Sequence, residues 1–379
     1  MRHTVDLLCF ADCPPSREER KVCETLCRRV YVEVLSKPAR LVRAAASVLR
    51  GQPMSSGFFS SPRFSREVTA ALRRSRYDLI FVYCSSMGQF IPLSTTAPVV
   101  VDFVDADSAK WRQYAGACRP PRSWLYAREA RAVAACEASL GRRAALALTV
   151  TEHDARELGG PDGPDFEVTV MPNGTRAPQG AADRPSADIA SLQPYVLFVG
   201  TMNYRPNVDA VRHFANEIFP LVRQRQRTLN FVITGRDPDR SVRALARIPG
   251  ITVTGTVPDV YEYIRHAEIS VAPFRISQGF HNKIAESLAV GTPVVTSSRA
   301  RDGIGLSEWE GLFVADAPAE FAAKVDFLLS QPRLRHEFRS AAAQVRQKLS
   351  WDTCLRCLDQ FLLQLAEPRS ASVAVAGDY

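Results

Sequence analysis

The sequence predicts an α/β protein built from two doubly wound parallel-sheet domains, and three observations carry that prediction. Short β-branched runs alternate with helical spacing along most of the chain, a stretch without periodicity breaks the alternation near the middle, and strands of the second series repeatedly end in glycine. The 379 residues leave room for two domains of ordinary size, and 46% hydrophobic with 23% charged residues is a globular composition.

The first series of strands reads VDLLCF, VYVEVL, DLIFVYC, PVVVDFV, ALALTV and EVTVM. The opening MRHTVDLLCF is too short and too polar for a secretory signal, and no run approaches the ~20 apolar residues needed to span a bilayer, so a cytosolic chain is expected. Between the fourth and fifth strands, WLYAREARAVAACEASL (124–140) has helical apolar spacing with charges on the other side, which predicts a solvent-facing helix. From Asn173 to Gln193 the chain turns rich in Gly, Pro, Ala and Asp, a linker composition. A second series follows: YVLFVG, NFVITG, ITVTG, ISVAPF, TPVVTS and GLFVAD, separated by helical segments such as PNVDAVRHFANEIFPLVRQR. The expected division is a first domain over 1–175, a linker over 176–193, a second domain over 194–348, and a terminal helix with tail over 349–379 that packs back across the cleft.

The formal charge of +8 favours anionic partners. No basic run interleaved with aromatics and no zinc-finger or RNP-like spacing occurs, so nucleic acid is not expected, whereas peripheral contact with an anionic membrane is. Nine cysteines without a signal peptide read as reduced thiols. Cys9, Cys13, Cys23 and Cys27 do not form a metal-ligand spacing, and the Cys354–Cys357 pair lacks the βαβ setting of a redox motif, so packing is the expected role of both groups.

Ligands of doubly wound sheets collect at the carboxyl ends of the strands. Gly200, Gly235 and Gly255 stand at three such ends, where they serve tight turns and also let a phosphate or ribose approach the backbone. The richest stretch is SQGFHNKIAESLAVGTPVV, 277–295. Gly279 permits a sharp turn, the amides that follow open a helix toward an anion, Lys283 adds a point charge, and Glu286 one turn inside suits the paired hydroxyls of a ribose. Dipole complementarity alone also accounts for Glu286, and Gly291 with Pro293 ends the helix, but neither accounts for Gly279 or Lys283.

This stretch resembles the signature of retaining GT-B glycosyltransferases of family 4, in which two glutamates with seven residues between them are followed by an Ala-rich helix and G-x-P-V-V. MPNGT (171–175) and VLFVGTMNYRPNVD (196–209) match as well, and VVDFVDADSAKW (100–111) with GTMNYRPNVDAV (200–211) resembles the sugar transferases of exopolysaccharide systems that accompany PEP-CTERM sorting. The resemblance implies a GT-B fold and a nucleotide-diphosphate sugar as donor, with a saccharide or polyprenol-linked acceptor, and neither metal nor other cofactor. It implies that Glu286 holds the donor ribose, that the Gly279 and Phe280 amides lie against sugar and diphosphate, that Gly200 and Gly235 let the phosphates approach, and that Val257 lies near the base. Gln278 replaces the first glutamate of the motif; Thr201 and Arg205 stand where the family places phosphate-binding basic residues, with Arg236 as another substitute.

Asp105-Ala106-Asp107 has the form of the DxD metal site of GT-A transferases, since two carboxylates can hold a divalent cation against a diphosphate. Its place after a first-domain strand instead assigns Asp105 and Asp107 to sugar or acceptor contacts. His153 and His281 receive no role. Two rivals to the transferase remain: a nucleotide-sugar epimerase, disfavoured because Gln278 removes a carboxylate, and a non-catalytic degenerate paralogue that binds nucleotide sugar or partner proteins. By the family's order of elements VDLLCF corresponds to a second strand, so the amino-terminal domain is expected to lack its first βα unit. That implies an upstream extension of roughly 30–50 residues, the length of one such unit, or a poorly active remnant.

Overall fold

A computed structural model of the chain describes residues 3–178, 184–277, 279–301, 304, 306 and 310–366. By internal packing it divides into two units: Met1–Leu148 with Arg156–Thr169 and Phe361–Tyr379, and Thr149–Ala155 with Val170–Gln360. The PNG turn therefore belongs to the second unit. Within the expected linker, Ile189 of the short helix Ala187–Ala190 is fully buried against Tyr195 and Leu197. One apolar residue amid Asp, Ala and Ser is too little to give a periodic signal.

In the first unit, β1 (Asp6–Ala11) and β2 (Arg29–Val34) pair in parallel through the helix Arg17–Leu26, which Ser16 and Glu19 open with a reciprocal capping box. A separate sheet holds β3 (Ile80–Tyr83), β4 (Val99–Asp102), β5 (Leu146–Thr149) and β6 (Val168–Val170) in that order. Among the described residues β1 and β3 are not paired. The flanks of β3 nonetheless hold β1: the Tyr77 hydroxyl donates to Asp6 at 2.6 Å, and the Phe10 ring packs tilted on Phe64 at 4.3 Å and edge-on to Phe90 at 5.7 Å.

The helix Arg122–Gly141 corrects the solvent-facing expectation. Glu129, Ala130, Val133, Ala134, Glu137 and Leu140 are all buried. Its glutamates are not surface charges, because each caps another segment. Glu129 accepts from the amides of Met54 (2.8 Å) and Ser55 (3.0 Å), and Glu137 from the amides of Ser108 (3.0 Å) and Gly159 (3.1 Å). Orphan amides at the starts of two helices, with that of Gly159 beyond a helix end, offset the cost of burying these carboxylates.

The second unit has one six-stranded sheet in the order β9-β8-β7-β10-β11-β12, with every neighbouring pair parallel. Its strands are β7 (Tyr195–Val199), β8 (Asn230–Thr234), β9 (Ile251–Gly255), β10 (Ile269–Ala272), β11 (Val294–Thr296) and β12 (Leu312–Val314). Phe198, Phe214, Phe231, Phe274 and Phe321 are buried in one core cluster, and Tyr195, Leu197 and Val232 pack with Ile264 in a second. Each such side chain contributes about 1.5–3 kcal/mol. The segment expected as one helix after β7 runs through Arg205–His213 and Phe219–Arg225 with a π turn over Phe214–Ile218. Pro220 has no amide to donate, and the wider turn absorbs the lost bond. All nine cysteines are free.

Candidate active site

The strand order of the second unit reverses direction between β7 and β10, and such a switch point opens a crevice at the carboxyl ends of the two strands. The loops that leave these two strands carry Gly200 on one side and the 273–281 segment on the other. That segment leads into the helix Asn282–Ala289.

Gly200 and Gly235 are glycines for reasons of space. A Cβ at Gly200 would stand 2.7 Å from Asn207 Nδ2 and 2.8 Å from Lys283 Nζ, while Gly235, at φ 148°, has no room for a Cβ against the Gly200 carbonyl. Gly279 has φ 74°, the left-handed turn expected from the sequence. The sheet ladder runs into these loops, with the Gly200 amide donating to Thr234 and the Gly235 amide to Gly255.

Lys283 is the centre of the arrangement. Its Nζ donates to Asn207 Oδ1 at 2.7 Å and lies 4.3 Å from the ring centre of Phe198 and 4.9 Å from that of Phe274. Asn207 in turn donates from Nδ2 to the Thr201 carbonyl at 2.9 Å, so it couples the loop after β7 to the lysine. Burial drives Lys283 down to about 7, against the opposing pull of Glu286. The ring stack is favourable to an ammonium, but two rings and one amide do not replace its hydration.

Glu286 is half-buried, and burial raises its carboxyl above the ordinary value while Lys283 and a hydrogen bond from Tyr261 pull it back. The Tyr261 hydroxyl donates to Glu286 and takes a hydrogen bond from Thr175 of the PNGT turn. Asn173 of the same turn reaches Asn282 at 3.5 Å. The turn is fixed from behind, where the Thr175 amide donates to the Leu349 carbonyl at 2.6 Å and Gly174 passes against the Trp351 backbone. Tyr261→Phe is expected to weaken nucleotide affinity about 3- to 10-fold, as one hydrogen bond of ~0.5–1.5 kcal/mol is lost from the carboxylate. Isothermal titration with the preferred nucleotide, beside an unchanged melting curve, measures it.

His281 is neutral. Its ring stacks on Phe274 at 4.5 Å, and Nε2 lies 2.6 Å from Ser277 Oγ, whose own proton goes to the Arg299 carbonyl at 3.0 Å, so Nε2–H is the donor. Burial and Lys283 hold the ring down to about 3. It shapes the loop and carries no charge there.

The remaining expected residues are less concentrated. Arg236 is exposed and touches Thr201 Oγ1 at 3.3 Å; Arg205 is the first residue of its helix; Val257 is half-buried in the loop after β9. Gln278 lies outside the described residues. Asp105 and Asp107 belong to the first unit, where Asp107 accepts from Ser85 Oγ at 3.0 Å and is paired with Lys110. The turn before them holds Val104 at φ 65°, a β-branched residue in the left-handed region and so a strained position of the kind that clusters at functional sites. Among the described residues no group of three or more His, Cys, Asp or Glu converges as a metal site. Sequence reasoning missed Asn207 and Tyr261. The former is six residues beyond a loop it serves, and the latter sits in the helix Val260–His266, 25 positions before the carboxylate it meets.

Residues 1–174 match the model of the glycosyl transferase 4-like domain, and residues 193–331 that of glycosyl transferases group 1. No curated protein matches the chain. Among solved structures, sucrose-phosphate synthase from Thermosynechococcus elongatus is similar at 17% identity and TM-score 0.60, over 80% of this chain and 77% of that one. Anabaena HepE in complex with UDP and glucose is similar at 13% identity and TM-score 0.64, over 92% and 90%. A glycosyltransferase from Rickettsia africae is similar at 11% identity and TM-score 0.57, over 94% and 89%. At these identities the likeness establishes the fold, and the two domain models, which together cover most of the sequence, establish the class: the chain is a GT-B glycosyltransferase, with a glycosyl transferase 4-like first part and a group 1 second part.

Proposed function

We propose that the chain is a retaining glycosyltransferase that moves a sugar from a nucleoside-diphosphate sugar to a saccharide or polyprenol-linked acceptor, in the cytosol, during exopolysaccharide or cell-envelope assembly. The observation that carries the reading is the convergence of Lys283, Asn207, Gly200 and Glu286 at the switch point of the second sheet. The UDP bound in the HepE structure supports a nucleotide donor. The likeness of VVDFVDADSAKW and GTMNYRPNVDAV to transferases of PEP-CTERM-associated systems supports the pathway.

In this reading Glu286 accepts from the ribose hydroxyls, the loop after β9 with Val257 borders the base, and Gly200, Thr201, Gly235, Arg205 and Arg236 receive the phosphates. Gln278, Gly279 and Phe280 meet the sugar. Breaking the bond from the anomeric carbon to the diphosphate leaves negative charge on the departing oxygen, and the amides opening Asn282–Ala289 together with Lys283 stabilise it. The acceptor hydroxyl adds to the same face, and its proton goes to the departing diphosphate. Asp105 and Asp107 hold sugar or acceptor. The protein's contribution is position and electrostatics, with no dedicated nucleophile.

The test is a panel of nucleotide sugars scored by thermal shift and by release of nucleoside diphosphate. One donor should raise the melting temperature and be turned over; stabilisation by none, with no release, sinks the reading, and binding without release returns the non-catalytic paralogue. Activity is expected to be unchanged by EDTA, since Lys283 and the helix amides supply the charge that a cation would. Loss to EDTA with recovery in manganese would make Asp105 and Asp107 metal ligands.

A further inference from the structure

The helix Lys37–Leu49 in the first unit is oriented against its own chemistry. Arg40 is buried, paired with Asp12 at 2.7 Å and stacked over Phe58 at 5.2 Å, whereas Leu41, Val42 and Leu49 are 65%, 70% and 89% exposed. With Ala45, also exposed, they fall at i, i+1, i+4 and i+8 and make one apolar face turned to solvent. A single exposed leucine is ordinary; a continuous stripe with Arg40 on the inside is not.

The stripe continues onto a second helix. Arg128 donates from Nη2 to the Val48 carbonyl at 3.1 Å, which fixes the start of Arg122–Gly141 beside the end of Lys37–Leu49. One turn before Arg128 stand Trp124 and Leu125, 70% and 40% exposed. The two segments that carry this surface, 36–53 and 108–128, contain no Asp or Glu, while Arg50, Arg119 and Arg122 are exposed along them.

We infer that this face seats the protein on an anionic lipid bilayer. An interfacial tryptophan, leucines able to enter the headgroup boundary and exposed arginines on segments free of Asp and Glu are the combination that such a surface binds. The chemistry fits a bilayer better than a second copy of the chain, since two such faces would oppose their arginines. Among the described residues no helix is long and apolar enough to cross a membrane, and resting on one requires none. The inference is independent of whether the acceptor is lipid-linked.

The test is co-sedimentation of the full chain with vesicles of phosphatidylcholine, alone or mixed with phosphatidylglycerol. Partitioning should be at least about tenfold higher on the anionic vesicles and should fall as salt is raised. The double variant Leu41→Glu/Leu49→Glu and, separately, Trp124→Ala should lower it several-fold while nucleotide release and the melting curve stay at wild-type values, because all three side chains are solvent-exposed. Equal partitioning on both vesicle types, no partitioning, or variants that bind as the wild type would overturn the inference. So would a wild-type dimer in light scattering that the variants dissolve, since a second copy would then own the face.

Discussion

Lys283→Ala is expected to lower kcat/KM for sugar transfer about 10²–10³-fold, the effect typical of removing one group aimed at developing charge. The fold should survive, because the ammonium is held at a cost: a lysine whose folded value lies near 7 is a lysine the interior would rather have neutral. The same fact sets a pH signature. The free enzyme keeps its ammonium below about 7 and loses it above, so kcat/KM should fall roughly tenfold per pH unit on the alkaline side. A bound diphosphate pulls the lysine back up, so kcat should fall at higher pH than kcat/KM does. Stability moves oppositely. The unfolded lysine holds its proton through the interval above 7 while the folded one does not, so stability rises with pH across that interval. Lys283→Arg should move the alkaline limb out of range, and Lys283→Ala should abolish it. A wild-type kcat/KM in the alanine variant, or an alkaline limb that persists there, removes Lys283 from the phosphate role.

The twelve strands of the described residues were legible because each is a short apolar run, most of them rich in β-branched residues, between helical segments or turn formers, and the site loops because glycine at strand ends and the GF-to-ES spacing mark backbone that must come close to something. What stayed hidden is long-range. Nothing near Glu129 or Glu137 reveals that the amides of Met54 and Ser108 await them, and a helical wheel assigns both to solvent. Asn207 lies 76 positions from the lysine that it orients, and Tyr261 lies 25 from Glu286. The division of the first unit into β1–β2 and β3–β6 depends on which strands become neighbours, which alternation does not encode. The outward apolar stripe of Lys37–Leu49 defeats pattern reading altogether, since the rule that apolar faces point inward is the one it breaks.

Glu286→Ala is expected to weaken nucleotide binding about 10- to 150-fold, corresponding to the ~1.5–3 kcal/mol of a hydrogen bond to a charged acceptor. The comparison that isolates the ribose uses the preferred nucleoside diphosphate and its 2′,3′-dideoxy counterpart. Wild type should discriminate strongly between them, and the variant should bind both alike; equal discrimination by both proteins would mean that the hydroxyls are read elsewhere. A structural role alone would lower affinity for both ligands equally. Glu286 also has a second action that kinetics can separate from the first. Its negative charge opposes the desolvation that depresses Lys283, so removing it should push the lysine lower still. The alkaline limb of kcat/KM should therefore move to lower pH in Glu286→Gln, which keeps the shape and one acceptor oxygen but not the charge. A limb that does not move would separate the two residues electrostatically, and the affinity loss would then belong to the ribose contact alone.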